Sequence, residues 1–240
     1  MSATAPATYL RWMAQGHEYF TARLEAIGDE RLDGPSTLPG WSGRHLLSHV
    51  GHNATALARL AHWAATGEPT PMYPSPSARA EEIESGARWP ASRLRDFVEE
   101  EQEHLGTALG KITDEGWRAE VVTAQGRTVP AATIPWLRCR EVWIHACDLP
   151  DGGDFTAFPD DLLDALIGDA LTRRRGAQGV ELDVRATDRE TGGDTGEAGG
   201  AAVRVEGRAA DLARWLTGRG RAQGLHIATG APLPQLPPWL

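Results

Sequence analysis

The stretch A-T-I-P-W-L-R-C-R-E-V-W-I-H-A-C-D-L, residues 132–149, decides how this chain must be built. It reads as one long helix, which Pro150 and Gly152-Gly153 end. On a helical wheel Arg138, Glu141, His145 and Asp148 fill an arc of only about 80°, while Trp136, Leu137, Val142, Trp143, Ile144, Ala146 and Leu149 occupy most of the rest. A helix apolar nearly all round has to be covered on most sides, and the simplest cover is other helices.

Three further long helices precede it. Tyr9, Leu10, Met13, Phe20 and Leu24 recur at helical spacing over residues 5–27, closing at Gly28. After a turn through Leu38-Pro39-Gly40-Trp41, Ser42 is an N-cap for a helix that runs to Thr66 and stops at Gly67. A proline-rich loop from Pro69 to Pro76 leads to a short helix, Arg79 to Gly86, and then to the third long helix, Ala91 to Leu109. The acidic run Glu99 to Glu103 on that helix reads as a solvated face. Residues 118–131 change character: Val121-Val122-Thr123, Gln125-Gly126-Arg127 and Thr128-Val129 suggest a small hairpin. The four long helices predict an antiparallel bundle over residues 1–152.

Residues 153–240 predict a small α+β domain: a helix at 160–174, strands at 179–187 and 201–206, a helix at 209–217 and a strand at 225–229. The fold class is therefore α+β, a four-helix bundle followed by a mixed unit. The Gly-rich stretch Thr191 to Gly200 is expected to be a strand connection and not a phosphate loop, because no G-x-G-x-x-G opens a helix there.

A formal net charge of -9 argues against nucleic acid or an anionic membrane surface as partner. The basic residues are almost all arginine, with Lys111 the only lysine, which reads as compositional bias. Cys139 and Cys147 lie two turns apart on one helix, too distant for a disulfide, and predict a reducing compartment. No stretch approaches the roughly 18 apolar residues of a membrane span and no signal peptide opens the chain, so a cytoplasmic protein is expected.

The chemistry starts with Glu141 and His145, four apart and on one face, with Asp148 three further along. Two readings are open from this helix alone: a thin solvent stripe on a buried helix, or an internal cleft where a His and a Glu one turn apart suit a metal ion. The second long helix carries His45, His49 and His52, and its core stripe runs through Leu46, Val50, Ala54 and Leu57. His49 sits nearest the edge of that stripe, while His45 and His52 are expected to face solvent. A lone His at such an edge is also a common hydrogen-bonded core residue, and the pair His45 and His49 is a rival site. Two histidines and a carboxylate fit zinc with an open fourth position, and suit nickel or cobalt as well. Asp148 could accept the second ring N–H of a ligand histidine or orient a bound reactant. Cys147, roughly 160° round the helix from His145, is expected in the core.

These blocks resemble a known family. The Pro39-Gly40-Trp41 entry to the helix of His49 and R-E-V-W-I-H-A-C-D at 140–148 are similar to DinB-like metal proteins. H-W-A-A-T-G-E-P-T-P-M-Y at 62–73, S-P-S-A-R at 75–79, T-A-Q-G-R-T-V-P-A at 123–131 and G-R-G at 218–220 make the closer resemblance one to mycothiol-dependent maleylpyruvate isomerases. The resemblance implies a DinB-like bundle holding a divalent ion, zinc by preference, a C-terminal domain similar to sterol-carrier-like folds, and mycothiol as the thiol cofactor acting on a small anionic substrate. It places the ligands at His49, Glu141 and His145 and makes Arg219 the catalytic arginine at the mouth between the domains; by itself Arg219 reads as a helix-terminal arginine complementing the dipole. Arg79, Gln125 and Arg127 are further candidates for gripping substrate or thiol, the last two reading otherwise as a solvated hairpin tip. The implied reaction is cis–trans isomerisation of maleylpyruvate by thiolate addition and elimination. The rivals are a mycothiol S-transferase and a non-catalytic metal-containing binding module.

Overall fold

The computed structural model describes residues 5–174, 181–189, 203–220, 222–227 and 229–236. The chain divides into two compact units, Met1–Gly153 and Asp154–Leu240.

In the first unit the long helices are α1 (Ala5–Glu25), α3 (Gly43–Thr66), α5 (Ala91–Leu109) and α6 (Ile134–Asp148), with the short helices α2 (Asp29–Leu32) and α4 (Ala78–Gly86) and a hairpin of β1 (Glu120–Val122) and β2 (Thr128–Pro130) between them. α3 begins where its sequence satisfies the first backbone donors. Ser42 takes the His45 N–H and the His45 imidazole takes the Ser42 N–H, a reciprocal capping box. The expected stripe Leu46, Val50, Ala54 and Leu57 is fully buried.

Side-chain contacts give the helix directions. His49 meets Glu141 and His145 while Asn53 meets Arg138, so α3 and α6 run antiparallel. Arg95 binds the carbonyls of Leu24 and Ile27 while His17 meets Glu99, which makes α1 and α5 antiparallel too. The aromatic contacts Tyr9–Trp136 and Tyr19–Trp143 show α1 and α6 running the same way. α3 and α5 also share a direction, which the long connection through α4 permits: Gly51 lies against Phe97 and Thr55 donates to Glu101. The Gly51 contact is tight enough that a Cβ there would sit 2.3 Å from the Phe97 ring. At the centre, fully buried Arg138 donates to the Val50 carbonyl at 2.7 Å, to Asn53 at 3.0 Å and to Gln102 at 2.9 Å, tying α6 to α3 and α5. Burial pulls its pKa down to about 10, a sign of what those three bonds must offset.

The second unit has α7 (Asp160–Arg174), α8 (Ala209–Leu216) and a sheet in the order β3 (Leu182–Ala186), β4 (Val203–Gly207), β5 (His226–Ile227). β3 and β4 pair parallel and β4 and β5 antiparallel. The stretch 191–200 expected as a strand connection lies outside the described residues. α8 ends in a Schellman motif: Arg219 N–H reaches the Arg214 carbonyl at 2.9 Å and Gly218 N–H the Trp215 carbonyl at 3.0 Å. Gly218 takes φ +73°, the left-handed conformation that motif needs, which accounts for the first glycine of G-R-G.

Candidate metal centre

Glu141 and His145, one turn apart on α6, face α3, and His49 comes from α3 to meet them. His49 Nε2 lies 2.9 Å from Glu141 Oε2 and 3.1 Å from His145 Nε2, and His145 Nε2 lies 3.1 Å from the same carboxylate oxygen. Three ligand-type atoms thus converge on one point, from two buried imidazoles and a half-buried carboxylate. Four donors about 2.0–2.1 Å from a tetrahedral centre stand roughly 3.3–3.4 Å apart, so the three need open by only a few tenths of an ångström to hold an ion and leave a fourth position. The donor set fits a divalent metal.

The surroundings set the state of each group. A carboxylate only accepts, so the 2.8 Å contact between His145 Nδ1 and Asp148 Oδ2 keeps a proton on Nδ1, and the neutral ring therefore turns its Nε2 lone pair to the cluster. Burial alone would lower the His145 pKa, but the hydrogen bonds to Asp148 and Glu141 outweigh it and raise it above 6.5. His49 goes the other way: burial drives its pKa down to about 4 against the attraction of Glu141, so that imidazole is neutral at ordinary pH. Burial would raise Glu141, yet the hydrogen bonds from His145 and His49 prevail and hold the carboxyl well below its usual range.

The residues singled out from sequence fall into three groups. His49, Glu141, His145 and Asp148 come together. Arg79 joins them, its Nη2 3.4 Å from His49 Nδ1, and it carries no carboxylate partner among the described residues. Gln125 and Arg127 stand exposed at the hairpin tip and make no hydrogen bond to the three converging groups. Arg219 lies in the second unit, half-buried after α8, where its Nη1 donates to the Thr217 carbonyl at 3.0 Å, the dipole-complementing contact expected of it on its own.

Three expectations need correcting. His52 does not face solvent but packs edge-on against Phe97 with ring centroids 4.8 Å apart, because α5 covers that side of α3. His45 gives its Nδ1 to the α3 cap, 3.3 Å from the Ser42 N–H, and turns its Nε2 toward Glu84 at 3.6 Å, so it does not converge with His49. Cys147, expected in the core, is only half-buried, while Cys139 is buried. Three neighbours went unforeseen. Trp41 places its ring 5.3 Å from that of His49. Thr37 donates its hydroxyl to Asp148 Oδ1 at 2.6 Å. Tyr73 lies within electrostatic reach of Arg79, and burial pushes its phenol up to about 12 so that it stays a donor. Trp41 and Tyr73 stand inside distinctive sequence blocks, whereas nothing local marks Thr37.

Comparison with known proteins identifies the family and the fold. The family model described as "Mycothiol maleylpyruvate isomerase N-terminal domain" matches residues 13–150. A crystal structure of the mycothiol-dependent maleylpyruvate isomerase is 36% identical, with a TM-score of 0.89, covering 98% of this chain and 97% of that one. A second structure under the same name, of a variant with one histidine changed to alanine, is 35% identical with a TM-score of 0.88 and the same coverage. No curated protein matches the chain. No helix is long and apolar enough to cross a membrane among the described residues.

Proposed function

The chain belongs to the mycothiol-dependent maleylpyruvate isomerase family, and from that premise we propose that it converts maleylpyruvate to fumarylpyruvate with mycothiol as thiol cofactor. The observation that carries the proposal is the convergence of His49, Glu141 and His145 on one point in a chain similar to that enzyme over nearly its whole length.

A cis double bond does not rotate while intact, so the reaction needs a nucleophile that adds reversibly and leaves again, and a thiolate meets both needs. His49, Glu141 and His145 would hold a divalent ion, with zinc the best match to the donors, and when bound it would supply the acidity a thiol of pKa near 8.5 lacks at neutral pH. The residues around it prepare that chemistry. Asp148 keeps the His145 proton on Nδ1, and burial keeps His49 neutral. Glu141 is then the one negative donor, and the low protein charge at the site favours an anionic sulfur.

The substrate is an anion, and arginine and tyrosine donors suit it. When His49 lends its Nε2 lone pair, its ring proton moves to Nδ1 and faces the Arg79 guanidinium, donor against donor, so Arg79 is left to receive an acid group of the substrate. Tyr73, kept protonated by burial and within electrostatic reach of Arg79, adds a second donor there. Arg219, by its place in G-R-G, is assigned to the negative charge that develops on addition. Gln125 and Arg127 are assigned to the polar body of the thiol. We place the enzyme in the cytoplasm, which suits the two cysteines that remain thiols.

Metal analysis of the purified protein beside a thiol-dependent maleylpyruvate assay tests the proposal. Near-stoichiometric divalent metal, turnover only with added thiol and no net thiol consumption are expected. Accumulation of a thioether would make the protein an S-transferase, and absence of turnover with any thiol would make it a binding module.

A further inference from the structure

Asp148 is buried to 1% exposure, and both of its oxygens are committed: Oδ2 to His145 Nδ1 at 2.8 Å and Oδ1 to the Thr37 hydroxyl at 2.6 Å. The second bond comes from 111 positions away in the chain, from an exposed residue in the loop between α2 and α3. An exposed threonine hydroxyl ordinarily bonds to water or to its own backbone, whereas this one reaches a buried carboxylate, at the short distance of a charge-assisted bond. The loop is built to deliver it. Thr37 N–H donates to the Asp148 carbonyl at 3.1 Å, so the segment is docked on the last residue of α6. Across its base, Ser36 N–H and hydroxyl both donate to the Trp41 carbonyl, at 2.9 and 3.0 Å, and Pro35 bridges Ser42. The same segment ends in Trp41, whose ring lies against His49.

We infer that Thr37 is a positioning residue of the metal centre: its hydroxyl fixes the plane of the Asp148 carboxylate, and through it the His145 ring, so that His145 Nε2 is aimed at the ion. A single bond to His145 would leave that plane free to turn, because the terminal torsion of an aspartate is broad and roughly two-fold. The second bond, made to the other oxygen by a hydroxyl held on a docked loop, removes that freedom. This inference rests on His49, Glu141 and His145 being the metal ligands.

The test is the affinity of the ion-free protein for Zn(II), measured by competition with a chromophoric chelator, and the visible spectrum of the Co(II)-loaded protein. Thr37→Val keeps the shape and loses the hydroxyl, while Thr37→Ser keeps the hydroxyl. Loss of a group that orients a ligand histidine weakens binding about 10- to 100-fold, so Thr37→Val should raise the dissociation constant by about tenfold or more and alter the Co(II) spectrum. Thr37→Ser should stay within about threefold of wild type with an unchanged ion-free melting temperature, whereas Thr37→Val, which leaves a buried Asp148 oxygen without its charge-assisted partner, should also melt about 3–8 °C lower without ion. Thr37→Ala carries the same expectation as Thr37→Val and replaces it if that variant does not fold. Wild-type affinity in the variants lacking the hydroxyl overturns the inference and leaves the ligand assignment standing. Failure of the wild-type protein to bind either ion overturns both.

Discussion

Replacing Glu141 by Gln removes the one negative donor of the three and changes little else in shape. Structural zinc sites bind with about 10–16 kcal/mol spread over four ligands, which makes one ligand worth roughly 3–4 kcal/mol. A neutral amide oxygen retains part of that, so the variant should bind Zn(II) about 10- to 100-fold more weakly. The ion-free protein should also lose stability. The depressed pKa of Glu141 means the fold favours its charged form, a contribution that is full above the ordinary carboxyl value and lost as pH falls through the folded one. At neutral pH the carboxylate accepts from imidazoles 2.9 and 3.1 Å away. Exchanging one such charge-assisted bond for a neutral one costs about 1.5–2 kcal/mol, or a melting temperature lower by about 3–8 °C in a chain of this size. Chelator competition reads the first effect and circular-dichroism melts of chelator-treated protein read the second. Affinity within threefold of wild type, about 0.7 kcal/mol, would remove Glu141 from the ligand set and refute the account of the site.

Zinc affinity should fall about tenfold per pH unit below the raised pKa of His145, because the ion displaces one proton there, while His49, depressed to about 4, is already neutral; a two-proton slope near pH 6 would contradict the His49 assignment. Arg219→Ala should cut turnover by about 10²- to 10³-fold with metal content unchanged, and loss of metal in that variant would count against a charge-stabilising role. Gly51→Ala should destabilise the first unit by about 1–3 kcal/mol, since its Cβ would stand 2.3 Å from the Phe97 ring, and an unshifted melting curve would show that α3 and α5 are less tightly apposed than described.

The elements that frame the site were readable because their signals are local. Ser42 and Gly67 bound α3, Pro150 and the glycines after it close α6, and the i, i+4 spacing of Glu141 and His145 puts both on one face. His49 could be chosen over its neighbours because it lies at the edge of a stripe that is indeed buried. What could not be read depends on which helix lies beside which. His52 was expected in solvent because a wheel for α3 contains no information about Phe97 on α5. The shared direction of α3 and α5 follows from contacts along their length, and α2, a single turn, leaves no periodic trace. Thr37 is the extreme case: its partner lies at the far end of another helix, and a threonine in a loop has no pattern to betray it.

The order in which the ligands occur along the chain has a consequence for synthesis. His49 is translated early, but Glu141 and His145 sit on the last helix of the first unit, and α3 and α6 are separated by two other helices and a hairpin. A growing polypeptide therefore carries only one of the three converging groups until that final helix leaves the ribosome. On the proposed ligand set, metal capture would be a late event, confined to a unit whose other helices have already emerged.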